Sequence, residues 1–152
     1  MKVGQIVRRD VPSLREHTVL AHAADRMVAT GLGALPVLDA DGLLVGVVTE
    51  GDLLRFGVGS RHEAAHTARP GSVAHRPDPF RAVVADVMSR NPVTATERQS
   101  VDEIAQLFVR LPWRMLPVVR LGRLVGVVTR TDVVRVLVCQ AEPTTPLTGS
   151  RT

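Results

Sequence analysis

Two short stretches of the 152-residue chain place a hydroxyl, free backbone N–H groups and a carboxylate side by side. They are Gly46-Val47-Val48-Thr49-Glu50-Gly51-Asp52 and Gly126-Val127-Val128-Thr129-Arg130-Thr131-Asp132. In each, an apolar run reads as a buried strand that ends in Thr. An Asp follows three residues later, in the first turn of an apolar helix. The first N–H groups of a helix lack intrahelical partners, and its N-terminus carries about half a positive charge. A phosphate placed there needs no metal, and Thr49 or Thr129 adds a hydroxyl donor. Asp52 and Asp132 would repel that phosphate, but each can accept two hydrogen bonds from a ribose diol. The pattern thus separates a phosphate end from a ribose end. The same residues also make ordinary helix starts, with Thr as the N-cap and Asp where the helix dipole favours an acid. Both readings stand on the residues alone. The copies differ at one place: Arg130 brings a charge able to reach a phosphate, whereas Glu50 disfavours one. The Thr129/Arg130/Asp132 stretch is therefore the stronger expected phosphate binder.

The elements that must position these residues also come twice. Leu35-Pro36-Val37 recurs as Leu116-Pro117-Val118, 81 positions later. Leu20, Ala23, Ala24 and Met27 recur at the same offset as Val101, Ile104, Ala105 and Phe108. Gly46, Thr49 and Asp52 recur 80 positions later, so one residue is lost in a turn, where an indel costs least. Each copy predicts the same plan. A short lead helix (3–9, 82–88) precedes an extended piece (10–14, 91–95). An amphipathic helix follows, capped by Thr18 or Ser100, with Gly31 and Gly33 ending the first. Two strands joined by a turn come next (34–38 and 43–48; 115–119 and 124–128). The helix after Thr49 is predicted to reach about Phe56, and the one after Thr129 about Val138. Residues 57–80, rich in Gly, Ser, Pro and His, read as a linker or surface loop. Residues 139–152 read as a disordered tail.

Composition narrows the function. The chain is 45% hydrophobic and carries a formal charge of +4, almost all of it from Arg. It has no basic run interleaved with aromatics, so a nucleic-acid platform is not supported. No apolar run reaches the ~18 residues of a membrane span, and the N-terminus shows no signal-peptide layout. The single Cys139 excludes an internal disulfide and fits a reducing cytoplasm. It lies on an apolar helix without a nearby His, so it reads as packed core rather than a nucleophile. His62 and His66 would share a helical face, but no acid or thiol accompanies them at metal-ligand spacing. No catalytic constellation or Gly-rich phosphate loop is present, which points away from an enzyme.

The order strand, helix, strand, strand, helix, with Leu-Pro-Val before a turn and Gly-apolar-apolar-Thr-x-x-Asp after it, resembles the CBS domain. The resemblance covers residues 3–56 and 82–138. Two in tandem resemble a Bateman module, here without an accompanying enzyme or channel domain. It implies a mixed α/β (α+β) fold: two β-α-β-β-α repeats, 1–56 and 81–138, packed sheet to sheet about a pseudo-twofold axis. It implies two clefts that bind an adenosine compound (AMP, ADP, ATP or S-adenosylmethionine), and a homodimer that signals metabolic state to an unknown regulated protein. A ligand-free dimerisation module is the other reading. By the family's symmetry, the Thr49/Asp52 cleft would use Ser89, the Pro92-Val93-Thr94 piece and backbone near Arg114-Met115. The Thr129/Asp132 cleft would use Val11-Pro12-Ser13 and backbone near Gly33-Ala34. Family members often carry a basic residue two places before the Pro. Ala34 and Met115 occupy that place here, and strand alternation would turn Arg114 to the other face.

Overall fold

The structure is a computed structural model that describes residues 1–66 and 78–139. In chain order its elements are β1 (Leu14–Arg15), α1 (Leu20–Thr30), β2 (Ala34–Leu38), β3 (Leu44–Thr49) and α2 (Glu50–His66). The second half repeats them as β4 (Ser89–Arg90), α3 (Val101–Arg110), β5 (Met115–Arg120), β6 (Arg123–Thr129) and α4 (Arg130–Cys139). The expected lead helices are single 3-10 turns, Val3–Gln5 and Val84–Asp86.

Each helix starts and stops for a local reason. In α3 the Ser100 hydroxyl accepts from the Glu103 N–H, and the Glu103 carboxylate accepts from the Ser100 N–H. This is a complete capping box. Its apolar face, Val101, Ile104 and Phe108, is buried. In α1 the buried face is Leu20, Ala23 and Met27, and Gly31 closes the helix in the left-handed region at φ 65°. Thr18 does not cap α1. Val19 is the capping residue, and the Thr18 hydroxyl accepts from the Arg15 N–H in the preceding turn.

The loop expected from residue 57 is corrected over its first part: α2 runs on to His66. Gly57 and Gly59 weaken a helix but do not stop one, and a Cβ at either would meet nothing within 4 Å. The first proline after the start of α2 is Pro70, so nothing earlier in that segment forbids the helix. The rest of that segment, 67–77, and the tail from 140 lie outside the described residues. The expected tail loses its first member, because Cys139 is the last residue of α4.

Strand pairing shows how the repeats interlock. In the first sheet, β1 runs parallel to β2, β2 antiparallel to β3, and β3 antiparallel to β4, which comes from the second half. The second sheet, β5–β6, is flanked by a parallel bridge Ala95↔Val118 and an antiparallel bridge Arg8↔Val127. Each of these is the counterpart of a first-sheet pairing, Leu14↔Val37 and Ser89↔Val47. The lead segments are therefore exchanged. Val3 is fully buried among Val101, Ile104, Phe108 and Leu116, while Val84 is fully buried among Leu20, Leu35 and Val48. Burying one Val contributes roughly 1.5–3 kcal/mol, so the exchange ties the halves together. The sheets meet at Ala34, Val47, Met115 and Val127.

The repeated sequence Gly-Val-Val-Thr has a packing cause at this crossing. A Cβ on Gly46 would stand 2.8 Å from the Ser89 carbonyl oxygen. One on Gly126 would overlap the Arg8 carbonyl oxygen. Only glycine lets the incoming lead segment pair with β3 or β6.

Candidate functional site

Both Thr-x-x-Asp stretches fold as capping boxes. The Thr49 hydroxyl accepts from the Asp52 N–H at 3.2 Å, and the Asp52 carboxylate accepts from the Thr49 N–H at 2.8 Å. Thr129 and Asp132 repeat this at 3.2 and 3.2 Å, with the Thr129 hydroxyl also donating to the Asp132 carboxylate at 2.7 Å. Strand β3 brings Thr49 to the sheet end, and α2 turns Asp52 back beside it; β6 and α4 do the same for Thr129 and Asp132. Asp52 and Thr129 are buried.

One cavity of about 430 Å³ opens at the first stretch. Thr49, Asp52, Ser89, Arg114 and Met115, expected together, all line it. So does Ala34, expected at the other cleft. Its place follows from register, because Ala34 pairs directly with Thr49 across β2–β3. Arg114 faces the cavity despite the alternation argument, because it precedes β5 and escapes the strand's period. Val93 is exposed and lies outside this lining.

Sequence reasoning missed Trp113 and Arg55, which also line the cavity. Trp113 is the only tryptophan of the chain, and it packs partly on the second repeat's core. Its signal was its place just before Arg114-Met115. Arg55 sits one turn beyond Asp52 and forms an ion pair with it. The cavity therefore holds an aromatic and apolar wall (Trp113, Met115, Ala34, Val47), two carboxylates (Glu50, Asp52), two hydroxyls (Thr49, Ser89) and two guanidinium groups (Arg55, Arg114).

The second stretch is arranged differently. Arg8 Nε donates to both carboxylate oxygens of Asp132, at 2.9 and 3.1 Å, and its Nη2 donates to Oδ1 at 2.6 Å. Burial pushes the Asp132 carboxyl up, but the hydrogen bonds from Arg8 and Thr129 outweigh it and hold the group below its ordinary value. Arg130, expected to reach a phosphate, instead donates to the Phe108 carbonyl at the end of α3, at 2.6 Å. Pro12 lines a cavity of about 620 Å³ with Arg8, Val11 and Leu32. Asp132 lines another, of about 420 Å³, with Ile6, Arg135 and Cys139. Cys139 is exposed there rather than packed in a core, since α4 carries it past the sheet. Among the described residues no group of three or more His, Cys, Asp or Glu could hold a metal ion.

The CBS domain family model matches residues 3–59 and 84–139. The chain belongs to the CBS domain family. A CBS domain-containing protein of Dictyostelium discoideum is 32% identical over 146 residues, covering 95% of this chain and 96% of that one. Protein MJ1225 of Methanocaldococcus jannaschii is 27% identical in its solved structure, with a TM-score of 0.76 over 90% of this chain and 47% of that one. The CBS-pair protein CBSX2 of Arabidopsis thaliana, solved in complex with AMP, is 28% identical with a TM-score of 0.71. That match covers 90% of this chain and 95% of CBSX2. The chain spans less than two thirds of some curated relatives: 42% of the full MJ1225 and 64% of YlbB of Bacillus subtilis. The tandem CBS arrangement expected from the duplicated motif is the one present. Among the described residues no helix is long and apolar enough to cross a membrane.

Proposed function

We propose that this tandem CBS pair is a non-catalytic regulatory module that binds an adenosine nucleotide in the Thr49/Asp52 cleft. The observation that carries the reading is the single cavity joining Thr49, Asp52 and Ser89 to Trp113, Arg114 and Met115. Adenine has an apolar wall in Trp113, Met115 and Ala34. The ribose diol has the Asp52 carboxylate, whose ion pair with Arg55 is a surface one, Arg55 being 74% exposed. The phosphate has the Gly51 backbone at the start of α2, between the Glu50 and Asp52 N–H groups that donate to Gly33 and Thr49, with Arg55 and Arg114 to offset Glu50. The AMP complex of CBSX2 supports the choice of ligand class. The single cysteine fits a reducing compartment such as the cytoplasm.

Thermal melts with AMP, ADP, ATP and S-adenosylmethionine test the reading. A ligand at about 100 times its Kd adds roughly 2.7 kcal/mol of stability. We expect a raised Tm with at least one nucleotide and none in Asp52→Ala. Absence of any shift with all four would leave the ligand-free dimerisation module.

Dimerisation itself has its own support. A groove of about 560 Å³ between α1 and α2 is lined by Met27, Val28, Leu53, Leu54 and Val58. Val28 is 83% exposed, Leu54 67% and Val58 54%. Their counterparts Val109, Val134 and Val138 are also exposed, at 85%, 56% and 68%. Two matching apolar helix faces suit a second copy of the chain. Which protein the module regulates would follow from what that assembly contacts.

A further inference from the structure

The two clefts differ at a position that strand pairing makes equivalent. Ser89 pairs with Val47 on β3, and Arg8 pairs with Val127 on β6. In the first cleft the short Ser89 leaves one cavity running from Asp52 to Trp113. In the second, Arg8 stands where that cavity would pass. Asp132 lines the space on one side, and Pro12 and Leu32, the counterpart of Trp113, line the space on the other.

We propose that Arg8 is an internal occupant of the Thr129/Asp132 cleft, so that the chain takes one adenosine nucleotide where its duplication offers places for two. The inference rests on the reading of the Thr49/Asp52 cleft as a nucleotide site. Three observations carry it. First, Arg8 binds Asp132 through two nitrogens that reach both carboxylate oxygens, the strong form of the interaction. Thr129 fills the remaining capacity of Oδ2 through its N–H and hydroxyl. A ribose diol finds no free acceptor there. Second, the two acids are similarly sheltered, Asp132 at 12% and Asp52 at 7% exposure, so the difference lies in how the base is held. The Arg8 backbone is fixed by two hydrogen bonds to Val127, at 2.8 and 2.9 Å, so the side chain is delivered from a rigid position. Third, the matching pair in the first cleft is of another kind. Arg55 meets Asp52 from its own helix, through one nitrogen, and is mostly exposed. It can swing into solvent without moving backbone. Arg130 adds to the asymmetry, since its guanidinium is engaged by the Phe108 carbonyl rather than turned to the cleft.

Calorimetric titration with AMP tests the proposal on the full chain. The wild type is expected to take one AMP per chain, Arg8→Ser two, and Arg8→Ser/Asp52→Ala one. Emission of Trp113, which lines only the first cleft, separates the two places. AMP should change it in the wild type and leave it unchanged in the double variant. Two AMP per wild-type chain, or one in Arg8→Ser, would overturn the inference while leaving the first cleft's function intact. Absence of AMP binding in all three proteins would defeat the underlying reading instead. Arg8→Gln, which removes the charge but keeps the side chain's bulk near native, must also gain weak second-site binding; if Arg8→Ser fails to fold, an unchanged single site in Arg8→Gln overturns the proposal.

Discussion

Asp132 shows how one carboxylate can serve a helix cap and a tertiary tie at once. It closes the α4 capping box with Thr129 and holds Arg8 from the other end of the sequence. The pair sets a pH dependence. The carboxyl is held below its ordinary value, so its contribution is fully present above about pH 4 and fades as pH falls through the lowered value. Arg8→Ser should cost about 1 kcal/mol at pH 7, a value kept small because Arg8 is 45% exposed. Urea unfolding at pH 7 and pH 3 checks this: the gap between wild type and variant should close in acid, and an undiminished gap would contradict it. The Thr-x-x-Asp chemistry was legible from residue types and spacing. Arg8 was not, because its partner lies 124 positions away. Its one signal was the repeat offset, which sets Arg8 on Ser89, a residue already assigned to a cleft. Arg130 misled for the same reason: its nearest acceptor, the Phe108 carbonyl, is brought close only by the packing of α3 on α4.

At the scale of elements, the exchanged lead segments explain why glycine opens each motif. Gly126→Ala would force the Arg8 carbonyl away from β6, at a cost of roughly 1–3 kcal/mol, and should loosen the Arg8–Asp132 pair with it. Hydrogen exchange at the Arg8 and Val127 amides, which hold the bridge, should speed up in that variant. Gly59 is the opposite case. It lies inside α2 with open space around its Cα, so Gly59→Ala should raise stability by up to about 1 kcal/mol. A fall in Tm would contradict the helix. Strands, turns and α3 were readable from periodicity and capping residues. The exchange of lead segments was not, since a short apolar lead carries no mark of which repeat it will cover. The end of α2 was misread because two glycines look like a stop, whereas a helix tolerates them when nothing else competes.

On the scale of the whole molecule, the duplication yields near-symmetric halves with unequal clefts. The apolar faces stay symmetric, with Val28 matched by Val109 and Val58 by Val138. A homodimer through these faces should fall to monomers in Val28→Glu/Val58→Glu, followed by light scattering. Nucleotide binding should survive, because neither residue lines the Thr49/Asp52 cavity. The central claim is that this cavity is the nucleotide site, and a crystal structure with AMP tests it most directly. The account predicts AMP with its base against Trp113 and Met115, its ribose on Asp52 and its phosphate at the start of α2, with Arg8 still on Asp132. AMP ordered at Thr129/Asp132 with the Thr49/Asp52 cavity empty would contradict it.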